Sequence, residues 1–133
     1  MHLIVVACDL DGTLADSGEV AADTWTLLRQ AKTAGLALLL VTGRVLQSFT
    51  PDGPFADIFD AIVAEDGAVV YFPRRDIVML PFGHLSAGLI ERLETLSIPL
   101  ERGMAIVATR GSSATSVKQT SHKSGILQPI ELW

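Results

Sequence analysis

A single cysteine, Cys8, excludes an intramolecular disulfide framework and a cysteine-based zinc cluster. No run of lysine or arginine occurs either. Ten basic residues against fifteen acidic ones leave a net charge of −5 and a pI of about 5.0. That balance argues against nucleic acid or an anionic membrane as the main partner. Long apolar stretches are missing too: the longest clear run, residues 36–41, falls far short of the roughly 20 residues a membrane-spanning helix needs. Val5-Val6-Ala7-Cys8 loosely resembles a lipoprotein cleavage site, but no basic leader and too short an apolar region stand before it. His2, His84 and His122 are isolated, without metal-ligand spacing. No P-loop, Gly-x-Gly-x-x-Gly, His-Glu-x-x-His or Gly-x-Ser-x-Gly string is found. These absences point to a soluble, cytoplasmic protein.

What is present suits a folded domain. Of 133 residues, 49% are hydrophobic and the mean hydropathy is +0.40, enough apolar surface for a real core and too much for intrinsic disorder. The charge is uneven: residues 1–76 hold eleven acids and five bases, residues 77–133 four acids and five bases, and no aspartate follows Asp76.

Leu3 to Cys8 is a continuous Val/Ile-rich run, the pattern of a strand buried on both faces. Val20, Thr24, Leu27, Leu28 and Ala31 then recur at helical spacing, with Gly35 where a C-terminal glycine belongs. Residues 36–41 give a second buried strand, Val45 to Phe49 a short helix broken by Pro51-Asp52-Gly53-Pro54, and Ala61 to Ala64 a third strand. Asp66-Gly67 supports a hairpin into 68–72, with which Ile77 to Leu80 can pair. Leu85, Leu89, Ile90, Leu93 and Leu96 form one apolar helical stripe, and Met104 to Thr109 reads as a strand. Strand, helix, strand, helix, strand over the first 64 residues predicts an α/β fold with a parallel sheet. From Gly111 to Gly125 the composition turns to Ser and Thr, as in a linker or frayed tail.

The chemistry concentrates in Asp9-Leu10-Asp11-Gly12-Thr13-Leu14, directly after the first strand. In an open parallel sheet, ligands bind outside the carboxyl ends of the strands. Two carboxylates two residues apart in extended chain leave the same face, so one can act as nucleophile and the other as proton donor. Gly12 lets the chain turn away and lets backbone N–H groups approach an anion. A calcium loop fits poorly, because Leu14 and Val20 stand where its glycine and glutamate would be. The second element is Thr42-Gly43-Arg44, at the carboxyl end of the next buried strand. A hydroxyl, a glycine N–H and a guanidinium there would converge on a phosphoryl group beside the Asp pair.

Together these segments closely resemble the haloacid dehalogenase superfamily of phosphohydrolases. Residues 9–14 match its first motif and Thr42-Gly43 its second. Val41-Thr42-Gly43-Arg44, with 63–71 beginning Val63-Ala64-Glu65-Asp66-Gly67, looks like subfamily II, which includes sugar-phosphate and sucrose-phosphate phosphatases; members commonly have Asn where this chain has Asp66. The resemblance implies a Rossmann-like three-layer core, here incomplete: a partial phosphatase core over 1–72, the start of a cap over 73–109, and an atypical Ser/Thr-rich tail over 110–133. It implies that Asp9 forms an aspartyl-phosphate and that Asp11 protonates the leaving oxygen and then activates water. Gly12, Thr13, Thr42, Gly43 and Arg44 would bind the phosphate of a small phosphorylated metabolite. Mg²⁺ would sit on the Asp9 carboxylate and the Asp11 backbone carbonyl.

The family's third motif supplies a lysine and its fourth the acids that complete the magnesium site. After Thr109 the chain has Lys118 and Lys123 in the Ser/Thr-rich stretch, and Glu131 as its sole acid. This is the pattern of a truncated or frame-shifted phosphatase. Two readings therefore stand: a Mg²⁺-dependent phosphomonoester hydrolase, and a non-catalytic remnant that binds phosphate or a protein partner. Without the later strands, the Leu3–Cys8 strand is left as a sheet edge with neither Lys nor Pro to blunt it. Either the Ile126–Leu132 segment covers that edge, or two chains pair there as a homodimer, or the chain is poorly stable alone. Pro129 makes the segment an imperfect cover, which favours self-association.

Overall fold

In the first part of the chain, the apolar runs pair into one mixed sheet. The computed structural model describes residues 4–48 and 53–109. The strands are β1 (Val5–Asp9), β4 (Ala37–Val41), β5 (Ala61–Ala64), β6 (Val69–Phe72) and β7 (Ile77–Met79), in that order across the sheet. β1, β4 and β5 are parallel, with Asp9 level with Val41 and Val41 level with Val63. β6 and β7 add antiparallel, so the hairpin expected at Asp66-Gly67 forms and the sheet is mixed. The α/β architecture is as the alternation of apolar runs implies.

Helix α1 (Ala22–Thr33) links β1 to β4, and α2 (Pro54–Ile58) leads into β5. Gly35, at φ +89°, ends α1: Leu36 N–H reaches Ala31 O at 3.2 Å and Gly35 N–H reaches Lys32 O at 3.0 Å. Six-to-one closure of this kind needs a left-handed residue, which glycine adopts without the Cβ penalty. Leu28, Leu38, Leu40, Ile58, Phe59, Ile62 and Val69 form the core, and full burial of each such side chain contributes about 1.5–3 kcal/mol. Trp25 meets Phe55 edge to face at 4.9 Å, and Phe55 stacks on Phe59 at 6.3 Å. Asp60 accepts a hydrogen bond from Leu38 N–H at 2.9 Å and pairs with Lys32 Nζ at 2.5 Å.

The structure corrects four readings. β1 is not buried on both faces. It lies at the sheet edge with β4 as its neighbour among the described residues, and Val5 and Val6 are exposed. An apolar run encodes a strand but not how many strands flank it. Val20 is not helical: β2 (Ala15–Asp16) and β3 (Glu19–Val20) form a hairpin directly after the Asp pair. Its turn residues, Ser17 at φ 51° and Gly18 at φ 91°, both take the left-handed values of a tight hairpin, and the Ser-Gly pair was its signal. Leu27 is 63% exposed although its spacing placed it with Leu28. The expected helix at Val45–Phe49 is a single tight turn over Leu46–Ser48.

The chain divides into two compact units, Met1–Pro81 and Phe82–Trp133, so the β6–β7 hairpin belongs with the sheet. In the second unit, α3 (Ala87–Thr95) buries Leu89, Ile90 and Leu93, with Leu89 and Leu93 packed against Ile98, Leu100 and Val107. Leu96, just past the helix, is exposed. The strand read at Met104–Thr109 is shorter, β9 (Val107–Thr109), and pairs antiparallel with β8 (Leu100–Arg102). Thr109 Oγ1 donates to Pro99 O at 2.7 Å, which ties that pair to the chain entering it. Lys118, Lys123 and Ile126–Leu132 lie outside the described residues, as does the tail over 110–133. Among the described residues, no helix is long and apolar enough to cross a membrane.

Candidate functional site

The register of the parallel strands assembles the site. Asp9 ends β1 beside Val41, the last residue of β4, and Thr42-Gly43-Arg44 follows at once. Neighbouring strands lie about 4.8 Å apart, so the two motifs share one rim of the sheet.

Beyond Asp9 the chain folds back on itself. Leu10 is buried, and its carbonyl accepts hydrogen bonds from the N–H groups of Thr13, Leu14 and Ala15 at 3.3, 3.0 and 2.8 Å. Gly12 stands at φ +77°, where an added Cβ would meet nothing within 4 Å; its glycine answers to backbone conformation alone. Gly12 N–H donates to Ala15 O at 3.0 Å, and the Thr13 hydroxyl donates to Asp9 Oδ2 at 3.2 Å. Both donors are committed within the loop: Gly12 shapes the turn and Thr13 orients the Asp9 carboxylate.

Arg44 has a partner that spacing alone did not reveal. Its Nε lies 2.8 Å from Asp11 Oδ2 and its Nη2 2.5 Å from Asp11 Oδ1, a two-pronged pair across 33 residues. The Asp11 carboxylate therefore faces the turn after β4. Thr42 is buried; its N–H donates to Val63 O at 2.9 Å, and its Oγ1 accepts from Arg44 N–H at 3.1 Å. Because the oxygen is held as an acceptor, the hydroxyl proton remains to donate. The N–H of Gly43 has no hydrogen-bond partner among the described residues.

Sequence reading missed Glu65, which looks like an ordinary turn acid. It is fully buried, and its Oε1 accepts from Leu46 N–H at 3.3 Å, while its own N–H donates to Arg44 O at 3.0 Å. Glu65, Asp66 and Gly67 all have positive φ, at 53°, 54° and 92°. For residues with a Cβ that conformation costs about 1–2 kcal/mol each. Two consecutive acids ahead of a glycine at a strand end were the available signal.

Burial alone pushes the Cys8 thiol up, so it is a packing group beside Asp9 rather than a reactive thiolate. Among the described residues, no three His, Cys, Asp or Glu side chains are grouped to hold a metal ion. Of the ligands the resemblance implies, Asp9 offers one carboxylate and Asp11 its backbone carbonyl, two oxygens in all. The described residues thus do not by themselves make the expected Mg²⁺ site, which needs octahedral oxygen ligation.

Comparison with known proteins bears on family and fold. A family model for haloacid dehalogenase-like hydrolases matches residues 6–81, more than half of the chain. A haloacid dehalogenase-like hydrolase from Bacteroides thetaiotaomicron superposes with a TM-score of 0.62 at 20% identity, over 99% of this chain and 52% of its own. A protein from Thermoplasma acidophilum gives 0.65 at 20% identity, over 93% and 59% respectively. A subclass IIB sugar phosphatase gives 0.54 at 15% identity, over 98% and 52%. At such identities the likeness concerns the fold, and the chain spans about half the length of these structures. Among curated proteins, none matches. With a family match over more than half of its length, the chain belongs to the haloacid dehalogenase-like hydrolases.

Proposed function

We propose that the rim formed by Asp9, Asp11, Thr42, Gly43 and Arg44 is a phosphoryl-transfer site whose substrate is a small phosphorylated metabolite, a sugar phosphate in the first instance. The observation that carries this reading is the register that sets Asp9 beside the Thr42–Arg44 turn, closed by the Arg44–Asp11 pair. The Asp9 carboxylate, held by Thr13, attacks phosphorus: the Asp9 O–P bond forms and the bond to the ester oxygen breaks. That oxygen takes its proton from Asp11, one of whose oxygens must first leave Arg44 and carry the proton. In the second step Asp11 takes a proton from water, whose oxygen attacks phosphorus and frees Asp9 and inorganic phosphate. The Thr42 hydroxyl and the Gly43 N–H donate to the non-bridging oxygens, and Arg44 fixes the plane of the Asp11 carboxyl. The substrate class rests on the likeness to sugar phosphatases of this family.

Hydrolases of this family generally use Mg²⁺, and the described residues fall short of a complete site. That shortfall favours a second reading, a rim that binds phosphate without turnover. Steady-state hydrolysis of p-nitrophenyl phosphate, with and without Mg²⁺, separates the two. Turnover that disappears in Asp9→Asn is expected; turnover that survives it unchanged would defeat the nucleophile assignment.

A further inference from the structure

We propose that Glu65 is a positioning residue for the phosphoryl-binding turn, acting through the backbone of Arg44 and Leu46; the proposal rests on the phosphoryl-transfer reading above. The carboxyl lies wholly out of water, where an unbonded polar group is costly, so what it touches explains why it is there. The carboxyl touches the turn at one point, and the backbone N–H of the same residue touches it at a second. Glu65 Oε1 accepts from Leu46 N–H at 3.3 Å, and Glu65 N–H donates to Arg44 O at 3.0 Å. Next to it, Asp66 N–H reaches Thr42 O at 3.4 Å. The strand-end turn after β5 is therefore tied to residues 42, 44 and 46, every second residue of the segment that carries Gly43 and Arg44.

Local energetics run against the arrangement twice. A left-handed φ of 53° suits glycine or asparagine better than glutamate, and a buried side chain here would be simpler if apolar. Strain of this kind collects where it sets functional geometry. From Glu65 the constraint passes through the Arg44 backbone to its guanidinium, whose two-pronged reach to Asp11 depends on where that backbone sits. Small displacements of such groups change rates steeply.

The test compares Glu65→Gln, which keeps an acceptor oxygen of similar reach, with Glu65→Leu, which fills the space without one. Amide exchange of Leu46 is read by NMR, together with binding of inorganic phosphate followed at Gly43 and Arg44. In Glu65→Leu, Leu46 exchange is expected to quicken and phosphate binding to weaken, each by about tenfold or more, with Glu65→Gln close to the native protein. Unchanged Leu46 exchange and phosphate affinity in Glu65→Leu overturn the proposal. So does a Glu65→Gln protein as impaired as the leucine variant. Should the leucine variant not fold, slow Leu46 exchange in the native and glutamine proteins supports the tie and fast exchange in either overturns it. If the native chain neither binds phosphate nor hydrolyses p-nitrophenyl phosphate, the phosphoryl-transfer reading fails, while Leu46 exchange still decides whether Glu65 holds the turn.

Discussion

Arg44 grips Asp11 with two nitrogens, Nε at 2.8 Å from Oδ2 and Nη2 at 2.5 Å from Oδ1. The pair joins the loop after β1 to the turn after β4. Both side chains are more than a third exposed, so the bond is worth little to folding, about 0–1 kcal/mol. Its value lies in fixing the carboxyl plane. A lysine has no planar fork to match a carboxylate. Arg44→Lys is expected to leave the urea midpoint nearly unchanged while hydrolysis of p-nitrophenyl phosphate falls about tenfold or more, a transition-state loss of about 1.4 kcal/mol.

Thr13 holds Asp9 by one hydrogen bond from its hydroxyl. Thr13→Val keeps the β-branched shape and removes the donor. A hydrogen bond to a charged group contributes about 1.5–3 kcal/mol, so kcat should drop by about ten- to a hundredfold with KM little changed. A kcat equal to the native value would separate Thr13 from nucleophile positioning.

Asp60 links the end of α1 to the start of β4. Burial pushes its carboxyl up, but the bonds from Lys32 and Leu38 N–H, with the charges of Lys32 and Arg74, outweigh that and hold it below the ordinary carboxylate range. The pair therefore stabilises the fold fully above the unfolded value of about 3.9, and its contribution is lost as pH falls through the lower folded value. Asp60→Asn keeps an acceptor for Leu38 but leaves Lys32 Nζ, buried and reliant on this ion pair, without a counter-charge. Urea unfolding should show a loss of about 1 kcal/mol at pH 7 that shrinks as the pH is lowered past 3.9.

At the sheet edge, Val5 and Val6 of β1 and the preceding Ile4 are exposed. Such an edge is a template for another strand. We propose that two chains pair there, and sedimentation across a concentration series is expected to show a dimer that Val6→Lys disperses. A native protein that stays monomeric at all concentrations would rule the pairing out.

Much of this architecture is encoded locally. The apolar runs at 3–8, 36–41 and 61–64 specify strands through side-chain periodicity, and Gly35 and Asp66-Gly67 specify where chain direction changes. The Asp9–Asp11 spacing and the Thr42-Gly43-Arg44 turn follow directly from those strand ends, so the rim is legible in the sequence. Tertiary structure alone decided which groups meet across it. That Arg44 closes on Asp11 and that Glu65 is buried against Leu46 both depend on register and on neighbours far along the chain. The physical reason is one of range: backbone conformation and hydrophobic periodicity are set by adjacent residues, whereas burial and side-chain pairing are set by whichever strands and turns the folded sheet brings alongside.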